Sequence, residues 1–280
     1  MSDPRSDAGR RTARPLSRLA SWWIPPLVVF GMVIGAWYGV SYLLLSPDRR
    51  FLVPPPDAVV RVGFLDPANR AELLDGLRLS AEVALLGLLI ATVIGMLLAI
   101  AMSQARWLER SMHPYLVILQ TIPILALVPL LGFWFDYDFG TRVLVCVLIA
   151  LFPIVTNTLF GLRSVDEAHH DLFTLHGASR LTRLRKLQLP TALPSIFTGL
   201  RISAGLAVIG AIVGDFFFRQ GQPGIGVLID LYQASLQSEM LFAAVILSSL
   251  LGLTVFLIFG ALARRVVGSW HESARDSNLA

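Results

Sequence analysis

Imidazole and carboxylate side chains, the groups best suited to metal binding or acid–base chemistry, occur together in one polar stretch of this chain, residues 163–190. Three histidines and three acids lie close together within it: His169, His170, His176, Asp166, Glu167 and Asp171. This combination is compatible with a metal site, but a polar helix that docks on a soluble partner accounts for the same residues. We therefore expect a docking helix and no bound metal.

Motifs that would power or catalyse a reaction are missing from the sequence. A phosphate-binding P-loop needs glycine-rich backbone amides followed by a lysine, and the only lysine, Lys186, follows Arg185 in a basic run. Carriers driven by ion gradients bury carboxylates within the membrane, and the apolar runs of this chain hold few, Glu82 and Asp215. No Ser-His-Asp or paired-carboxylate arrangement stands out. We therefore expect a protein that is not an enzyme and that takes its energy from a separate subunit.

The polar stretch itself predicts two short helices joined at a glycine. Ser164 and Glu167 have the spacing of a capping box, which predicts that the first helix begins at Val165. Gly177 can adopt the left-handed conformation that ends a helix. A second helix is expected over residues 179–188.

That second helix is expected to close at Leu189-Pro190, because proline interrupts a helix. On the first helix, Leu172, Phe173 and Leu175 form an apolar surface among polar neighbours. An apolar surface on an otherwise polar helix indicates a docking site for a soluble partner. The alternative is a solvated loop that lies on lipid headgroups.

The elements that position this stretch are membrane helices. The chain is 55% hydrophobic and 15% charged, with a mean hydropathy of +0.68, and it contains six apolar runs long enough to cross a bilayer. These runs cover residues 24–45, 81–102, 115–134, 143–160, 196–217 and 241–262. We therefore expect an all-α integral membrane protein. A basic segment (residues 1–23) would precede one membrane domain (24–262), and a polar tail (263–280) would follow it.

Two details of the spans can be predicted. Pro123 and Pro129 lie inside the third run, which predicts a kinked helix. The first run is too long for the apolar region of a cleaved signal peptide, so we expect it to remain as a span. The single cysteine, Cys146, lies in an apolar run and gives no metal or redox signal.

The distribution of basic residues predicts the orientation. With the N-terminus inside, the inner segments hold 15 of the 23 Lys and Arg residues, the outer segments hold 7, and Arg201 lies within the fifth span. The positive-inside rule then favours both termini in the cytoplasm. Residues 163–190 would face the cytoplasm, where nucleotide is available. The basic excess therefore indicates membrane orientation and lipid headgroups, and not a nucleic-acid partner.

The segment from Asp171 to Pro190 resembles the cytoplasmic loop of ATP-binding-cassette (ABC) importer permeases. That family pattern is Glu-Ala-Ala, three residues, Gly, nine residues and Ile-x-Leu-Pro. Here Gly177 is the glycine, and Leu187-Gln188-Leu189-Pro190 is the ending at the correct distance. The opening departs from the pattern, because Asp171-Leu172-Phe173 stands in place of Glu-Ala-Ala.

The resemblance extends over residues 81–262 and points to one branch of that family. This chain is similar in several short segments to the nitrate, sulfonate and taurine permeases. The same branch includes uptake systems for thiamine-pyrimidine precursors and riboflavin. These segments are Gln120-Thr121-Ile122-Pro123, Leu127-Val128-Pro129-Leu130, Phe152-Pro153 through Asn157-Thr158, and Leu200-Arg201-Ile202.

The resemblance implies a type I importer fold, in which a cytoplasmic coupling helix lies between the fourth and fifth spans. Two ATPase subunits would dock on the cytoplasmic loops and use ATP and Mg, and this chain would bind neither. An extracytoplasmic solute-binding protein would deliver substrate to a dimer formed with a second copy or a paralogue in a bacterial plasma membrane. The residues implied in ATPase coupling are Asp166, Glu167, Asp171, Leu172, Phe173, Gly177, Ala178, Leu187, Leu189 and Pro190.

The mechanism implied is alternating access, with a path bordered by polar residues of the spans: Gln120, Asn157, Arg201 and Asp215. For Asn157, a hydrogen bond to backbone freed near Pro153 is favoured over substrate contact. Arg201 either lines an inner vestibule or extends toward the cytoplasmic face. Asp215 either borders the path or lies at the outer interface near Arg219.

Two other functions remain open from sequence. One is a membrane scaffold whose cytoplasmic helices recruit a partner other than an ATPase, and the other is a secondary carrier that needs no ATP. Among imported solutes, a heterocyclic nutrient is favoured slightly over a bare anion, because the spans show no cavity lined by Arg and Lys.

Overall fold

A computed structural model of the chain describes residues 16–218 and 221–268, and it describes side chains from Ile24 onward. Most of the predicted basic segment, the residue Arg219 and most of the predicted tail lie outside the described residues. Within the described ranges every regular element is helical. The α-helices there are α1 (Leu16–Gly39), α2 (Pro56–Val59), α3 (Pro67–Gln104), α4 (Arg106–Thr121), α5 (Ile124–Phe135), α6 (Phe139–Arg163), α7 (Glu167–Leu175), α8 (Arg180–Arg183), α9 (Leu189–Phe217), α10 (Ile225–Ala234) and α11 (Ser238–Val267).

Short π- and 3₁₀-helical segments connect several of these helices. The π segments are Val40–Leu44, Val60–Leu65 and Leu184–Gln188, and the 3₁₀ segment is Pro47–Leu52. The first π segment prolongs α1, and the third one joins α8 to α9. In both places the chain continues in helical form without a separate turn.

The described residues contain five helices that are long and apolar enough to cross a membrane, and a broken helix pair raises this number to six. This agrees with the six predicted spans, although the observed helices are longer. The second span begins at Pro67 and not near residue 81, because the side chain of Asp66 accepts hydrogen bonds from the backbone N–H groups of Ala68 and Asn69. At 38 residues α3 is about 57 Å long. It therefore exceeds the apolar thickness of a bilayer, about 30 Å.

The third span is broken and not merely kinked. Helices α4 and α5 meet at an angle of 100°. Ile122, which precedes Pro123, is extended with φ −64° and ψ 126°, as the steric demand of the following proline ring favours. The predicted kink is therefore a complete break at Pro123, whereas Pro129 is accommodated inside α5.

Helices α3, α6 and α9 form the centre of the bundle, and small residues let them approach closely. Cys146 of α6 is buried between a glycine of α3 and a glycine of α9. A Cβ atom added at Gly87 would overlap the Cys146 side chain, and one added at Gly210 would lie 3.1 Å from the Cys146 Cα atom. Close helix packing through small residues is typical of membrane bundles. By contrast, Gly205 on α9 has open space beside it.

Helix α1 stands largely apart from this centre. Only 6% of the apolar window within residues Ile24–Leu44 is buried by the rest of the chain. Its three glycines, Gly31, Gly35 and Gly39, have nothing within 4 Å of an added Cβ atom. Small residues at this four-residue spacing allow another helix to approach closely, and this face of α1 is uncovered within one chain.

Candidate functional site

The polar segment between α6 and α9 begins with the helix α7, which is capped by Asp166. The carboxylate of Asp166 accepts a hydrogen bond from the Ala168 backbone N–H at 3.3 Å. The predicted start at Val165, with Ser164 as the cap, is wrong. The Ser164 hydroxyl instead donates to the carbonyl oxygen of Gly161 at 2.9 Å and so closes α6.

The end of α7 is a left-handed glycine cap, as predicted. Gly177 has φ +64°. The Ala178 N–H donates to the Phe173 carbonyl at 2.9 Å, and the Gly177 N–H donates to the Thr174 carbonyl at 3.0 Å. These two bonds are those of a Schellman motif, which satisfies the last carbonyls of a helix. With Asp166 at one end and Gly177 at the other, α7 is a short helix with defined ends.

The second predicted helix begins at its expected place but does not stop where predicted. The Ser179 hydroxyl accepts a hydrogen bond from the Thr182 N–H at 3.2 Å and caps α8. The chain then passes through the π segment into α9, so the expected stop at Leu189-Pro190 is wrong. The Leu189 N–H bonds to the Leu184 carbonyl with π-helical spacing. This change of spacing places Pro190 in the first turn of α9, where its missing N–H is tolerated.

The ten residues implied in coupling divide into an outward group and an anchoring group. Leu172 is 50% exposed, and its neighbour on the helix surface, Leu175, which is not one of the ten, is 85% exposed. The carboxylate-bearing residues of α7 and its cap are exposed too, while Phe173 and Ala178 are half-buried. In the second half of the loop, Leu187 is 9% exposed, and Leu189 and Pro190 are half-buried. The first half thus presents an apolar surface, and the second half is held against the bundle.

The base of this segment is tied to the turn between α3 and α4 by two polar contacts. The guanidinium group of Arg163 pairs through both of its terminal nitrogens with the two carboxylate oxygens of Glu109. The side-chain amide of Gln104 donates to that of Gln188 at 3.1 Å. The sequence did not reveal these contacts. The one signal was the single acid, Glu109, within a basic turn.

At the other end of the bundle, Arg142 and Asp215 form a buried ion pair. The Nη1 atom of Arg142 lies 3.1 Å from Oδ1 of Asp215, and their side chains are 3% and 0% exposed. Arg142 also donates to the backbone carbonyls of Phe218 and Gln222. Arg142 precedes the fourth apolar run, residues 143–160, and nothing in the sequence connects it with Asp215.

Hydrogen bonds from two further elements complete this buried site. The Ser80 hydroxyl of α3 donates to Oδ2 of Asp215 at 2.5 Å and accepts from the Ile225 N–H at 2.9 Å. The Gly226 N–H, in the first turn of α10, donates to the same carboxylate oxygen at 3.4 Å. The positive end of α10 therefore faces the carboxylate, which stabilises its charge. A Cβ atom at Gly224 would overlap the carboxylate of Asp215.

The four residues predicted to border a path do not converge on one point. Gln120 lines a cavity of about 410 Å³ formed with residues of α5, α6 and α9. Arg201 lines a separate groove of about 670 Å³ between α9 and α11. Leu206 and Ile209 line both spaces, so the two are neighbours on α9.

The other two candidates are engaged in hydrogen bonds within the chain. The Asn157 amide donates to the carbonyl oxygen of Pro153 at 2.8 Å, the backbone contact that the sequence favoured. Asp215 is the buried partner of Arg142. The guanidinium group of Arg201 lies over the ring of Phe256, with Cζ 3.8 Å from the ring centroid.

Comparison with known proteins identifies the family. The model of the family described as binding-protein-dependent transport system inner membrane component matches residues 91–268. The formylaminopyrimidine transport permease protein ThiX of Halalkalibacterium halodurans is 34% identical over 235 residues, which cover 83% of this chain and 90% of that protein.

Two further relatives carry the names of other solutes. The putative aliphatic sulfonates transport permease protein SsuC of Escherichia coli is 32% identical over 237 residues, covering 85% of this chain and 86% of that protein. The riboflavin transport system permease protein RibX of Chloroflexus aurantiacus is 36% identical over 168 residues, covering 60% and 62%. The resemblance inferred from the loop motif is thereby confirmed. The chain belongs to the family of binding-protein-dependent transport system inner membrane components, and it is the membrane permease subunit of an ATP-driven importer.

Proposed function

We propose that this permease moves a small heterocyclic nutrient across a bacterial plasma membrane, with both termini in the cytoplasm and α7 as the helix that couples transport to ATP hydrolysis in a partner. The observation that carries this proposal is the exposed apolar surface of α7, Leu172 and Leu175, on a helix with both ends capped. An exposed leucine pair on a rigid helix suits insertion into a groove of another protein.

The energy source in this proposal is a pair of ATPase subunits, which bind ATP and Mg while this chain binds no cofactor. Closure of the ATPase dimer displaces α7 as a rigid body. The displacement reaches the membrane directly, because the second half of the loop runs without a stop into α9. Movement of α9 changes the two spaces that it lines and so alternates access to them.

The proposed substrate class rests on the cavity at Gln120 and on the named solutes of the relatives. Gln120 is the polar side chain among otherwise apolar or proline residues that line this cavity. A primary amide offers both a donor and an acceptor, which suits the edge of a pyrimidine or flavin ring. Recognition of a bare anion favours Arg or Lys, and Arg201 in the neighbouring groove is already stacked on Phe256. Formylaminopyrimidine and riboflavin, named for two relatives, are heterocycles of this kind.

A dimer with a second copy or a paralogue is part of the proposal. The support is the uncovered face of α1, where Gly31, Gly35 and Gly39 have open space beside them. Small residues at this spacing allow two membrane helices to approach closely. Lipid surrounds the remaining apolar surface, and an extracytoplasmic binding protein delivers the solute.

The coupling role is tested by adding a charge to two neighbouring exposed positions of α7. We expect Leu175→Asp to abolish uptake and to reduce co-purification of an ATPase subunit. Thr174→Asp adds the same charge about 100° around the helix from Leu175 and about 160° from Leu172, outside the leucine surface, and it should retain most of the uptake. Asp171→Arg should abolish uptake while membrane insertion survives.

The two competing functions give different outcomes. Normal uptake in both Leu175→Asp and Asp171→Arg would refute a coupling role for α7. Solute uptake that follows an ion gradient and continues without ATP would identify a secondary carrier. Persistent co-purification of a partner that has no nucleotide-binding motif would indicate a scaffold.

A further inference from the structure

We propose that the Glu109–Arg163 ion pair transmits the movement of α7 to the broken helix pair α4–α5. Both residues would then be positioning residues, which move the lining of the cavity at Gln120 when ATP hydrolysis is coupled to transport. This inference rests on the proposed coupling role of α7. The movement of α7 would reach the membrane in two ways, through the continuous chain into α9 and through this ion pair. The two residues of the pair lie outside the family motif, Asp171 to Pro190.

The position of Arg163 is suited to this role. It is the last residue of α6, and Asp166, the cap of α7, follows three positions later. Its guanidinium group pairs in a bidentate manner with the carboxylate of Glu109. Bidentate pairing fixes the relative orientation of two groups as well as their separation. When the start of α7 moves, Glu109 must therefore move with Arg163, because the pairing leaves the two groups little relative motion.

A second contact ties the other end of the loop to the same turn. Gln188, the last residue of the π segment, accepts a hydrogen bond from Gln104, the last residue of α3. The loop that carries α7 is thus attached at its beginning and at its end to one short segment, residues 104–109. That segment is where α3 ends and α4 begins.

Helix α4 connects this segment with the membrane cavity. Glu109 lies in its first turn, and Gln120 lies near its other end and lines the cavity. At 16 residues the helix is about 24 Å long. The break at Pro123 separates α4 from α5, so α4 can tilt without moving α5 as one rigid rod. A displacement of Glu109 therefore tilts α4 and moves Gln120 at its other end.

The exposure of the pair makes the idea testable apart from folding. Arg163 and Glu109 side chains are 40% and 23% exposed. Ion pairs near a surface contribute little to stability. Loss of this pair should consequently leave the assembled importer intact and change how many ATP molecules are hydrolysed for each solute imported.

The experiment uses the complete importer in liposomes, with its ATPase and binding protein, and measures ATP hydrolysed per solute imported. We expect Glu109→Arg and Arg163→Glu each to raise this ratio by about tenfold. The exchanged pair, Glu109→Arg with Arg163→Glu, should return the ratio to within about twofold of the original. Arg110→Glu is the matched control, since it makes a similar charge change at the adjacent exposed position, and it should leave the ratio unchanged.

Three results would overturn the inference. An unchanged ratio in both single variants would exclude a coupling role for the pair. Lost assembly in the single variants that the exchanged pair does not restore would indicate a structural role. A similar rise in the Arg110→Glu control would show that the charge of the turn matters and not the pairing. Failure of the coupling role of α7, on which the inference rests, is distinguishable from all three, because Leu175→Asp and Asp171→Arg would then show normal uptake.

Discussion

Arg142 and Asp215 join α6 to α9 through an ion pair that is almost completely removed from solvent. Burying two charges is unfavourable unless hydrogen bonds satisfy their remaining donors and acceptors. Here Ser80 and the first turn of α10 bond to the carboxylate, and the backbone carbonyls of Phe218 and Gln222 accept from the guanidinium group. The pair therefore holds three long helices and the segment that leads to α10 in one arrangement.

Removal of one partner from this pair should destabilise the protein strongly. Arg142→Met leaves the Asp215 carboxylate buried without its counter-ion, and a loss of about 3–5 kcal/mol is expected. The combined variant Arg142→Met with Asp215→Leu should lose less than the single variant, because no uncompensated charge is left. Thermal unfolding of the purified permease in detergent measures both effects.

The exposed ion pair between Arg78 and Glu82 provides the control for that comparison. Its side chains are 80% and 52% exposed, so Arg78→Met should cost no more than about 1 kcal/mol. A similar loss for Arg78→Met and Arg142→Met would contradict a special role of the buried pair.

Gly177 should tolerate asparagine better than valine. Its φ of +64° is adopted readily by glycine and sometimes by asparagine, whereas other residues are strained there by about 1–2 kcal/mol. Nothing lies within 4 Å of an added Cβ atom, so the effect comes from the backbone and not from overlap. Gly177→Val should lose uptake through a misplaced end of α7, and Gly177→Asn should retain most of it.

The measurement is solute uptake at equal amounts of permease in the membrane. Equal loss of uptake in Gly177→Val and Gly177→Asn would mean that the absence of any side chain is required, for example by a close partner surface. Equal retention would mean that the left-handed cap is dispensable.

Features that depend on local composition were predicted from the sequence. The six spans follow from apolar runs, and the break at Pro123 follows from a ring that removes an N–H and restricts its neighbour. The left-handed end at Gly177 likewise follows from one residue type. Each of these features is decided within a few positions of the chain, so a single sequence suffices.

Features that depend on distant pairing were not predictable in this way. Arg142 and Asp215 are 73 positions apart, and Glu109 and Arg163 are 54 apart. No pattern along the chain links such residues, and an arginine beside an outer turn reads as a solvated charge. The start of α7 was predicted wrongly because two possible capping residues, Ser164 and Asp166, lie only two positions apart. Local spacing does not decide which helix each one serves.

The side of the membrane on which α7 lies can be measured with cysteine labels. Cys146 is the only cysteine and is buried, so it should not react with a maleimide that cannot cross membranes. In the proposed orientation, Thr174→Cys should be labelled only when the cytoplasmic side is accessible. Asp48→Cys, in the exposed 3₁₀ segment that follows the first span, should be labelled in intact cells. Labelling of Thr174→Cys in intact cells would reverse the proposed orientation and remove the ATPase from reach of α7.

Gln120 should determine which class of solute, a neutral heterocycle or an anion, the permease transports. Gln120→Leu removes the polar group from its cavity and should weaken apparent affinity for a heterocycle by about 3- to 10-fold, as expected for one lost hydrogen bond. Gln120→Glu separates the two solute classes, because a carboxylate repels an anion but still accepts a hydrogen bond from a neutral ring. Competition by pyrimidines, riboflavin and sulfonates in an uptake assay measures the preference.

The neighbouring residue Thr121 is the control, since its hydroxyl donates to the Ile118 carbonyl at 2.9 Å and it is not among the residues that line the cavity. Thr121→Val should leave the affinity unchanged. If Gln120→Leu leaves uptake of every solute unchanged, the cavity lies outside the path, and selectivity resides in the binding protein alone. If Gln120→Glu abolishes uptake of a sulfonate that the unaltered permease imports, the substrate is an anion, and the neutral-heterocycle proposal is wrong.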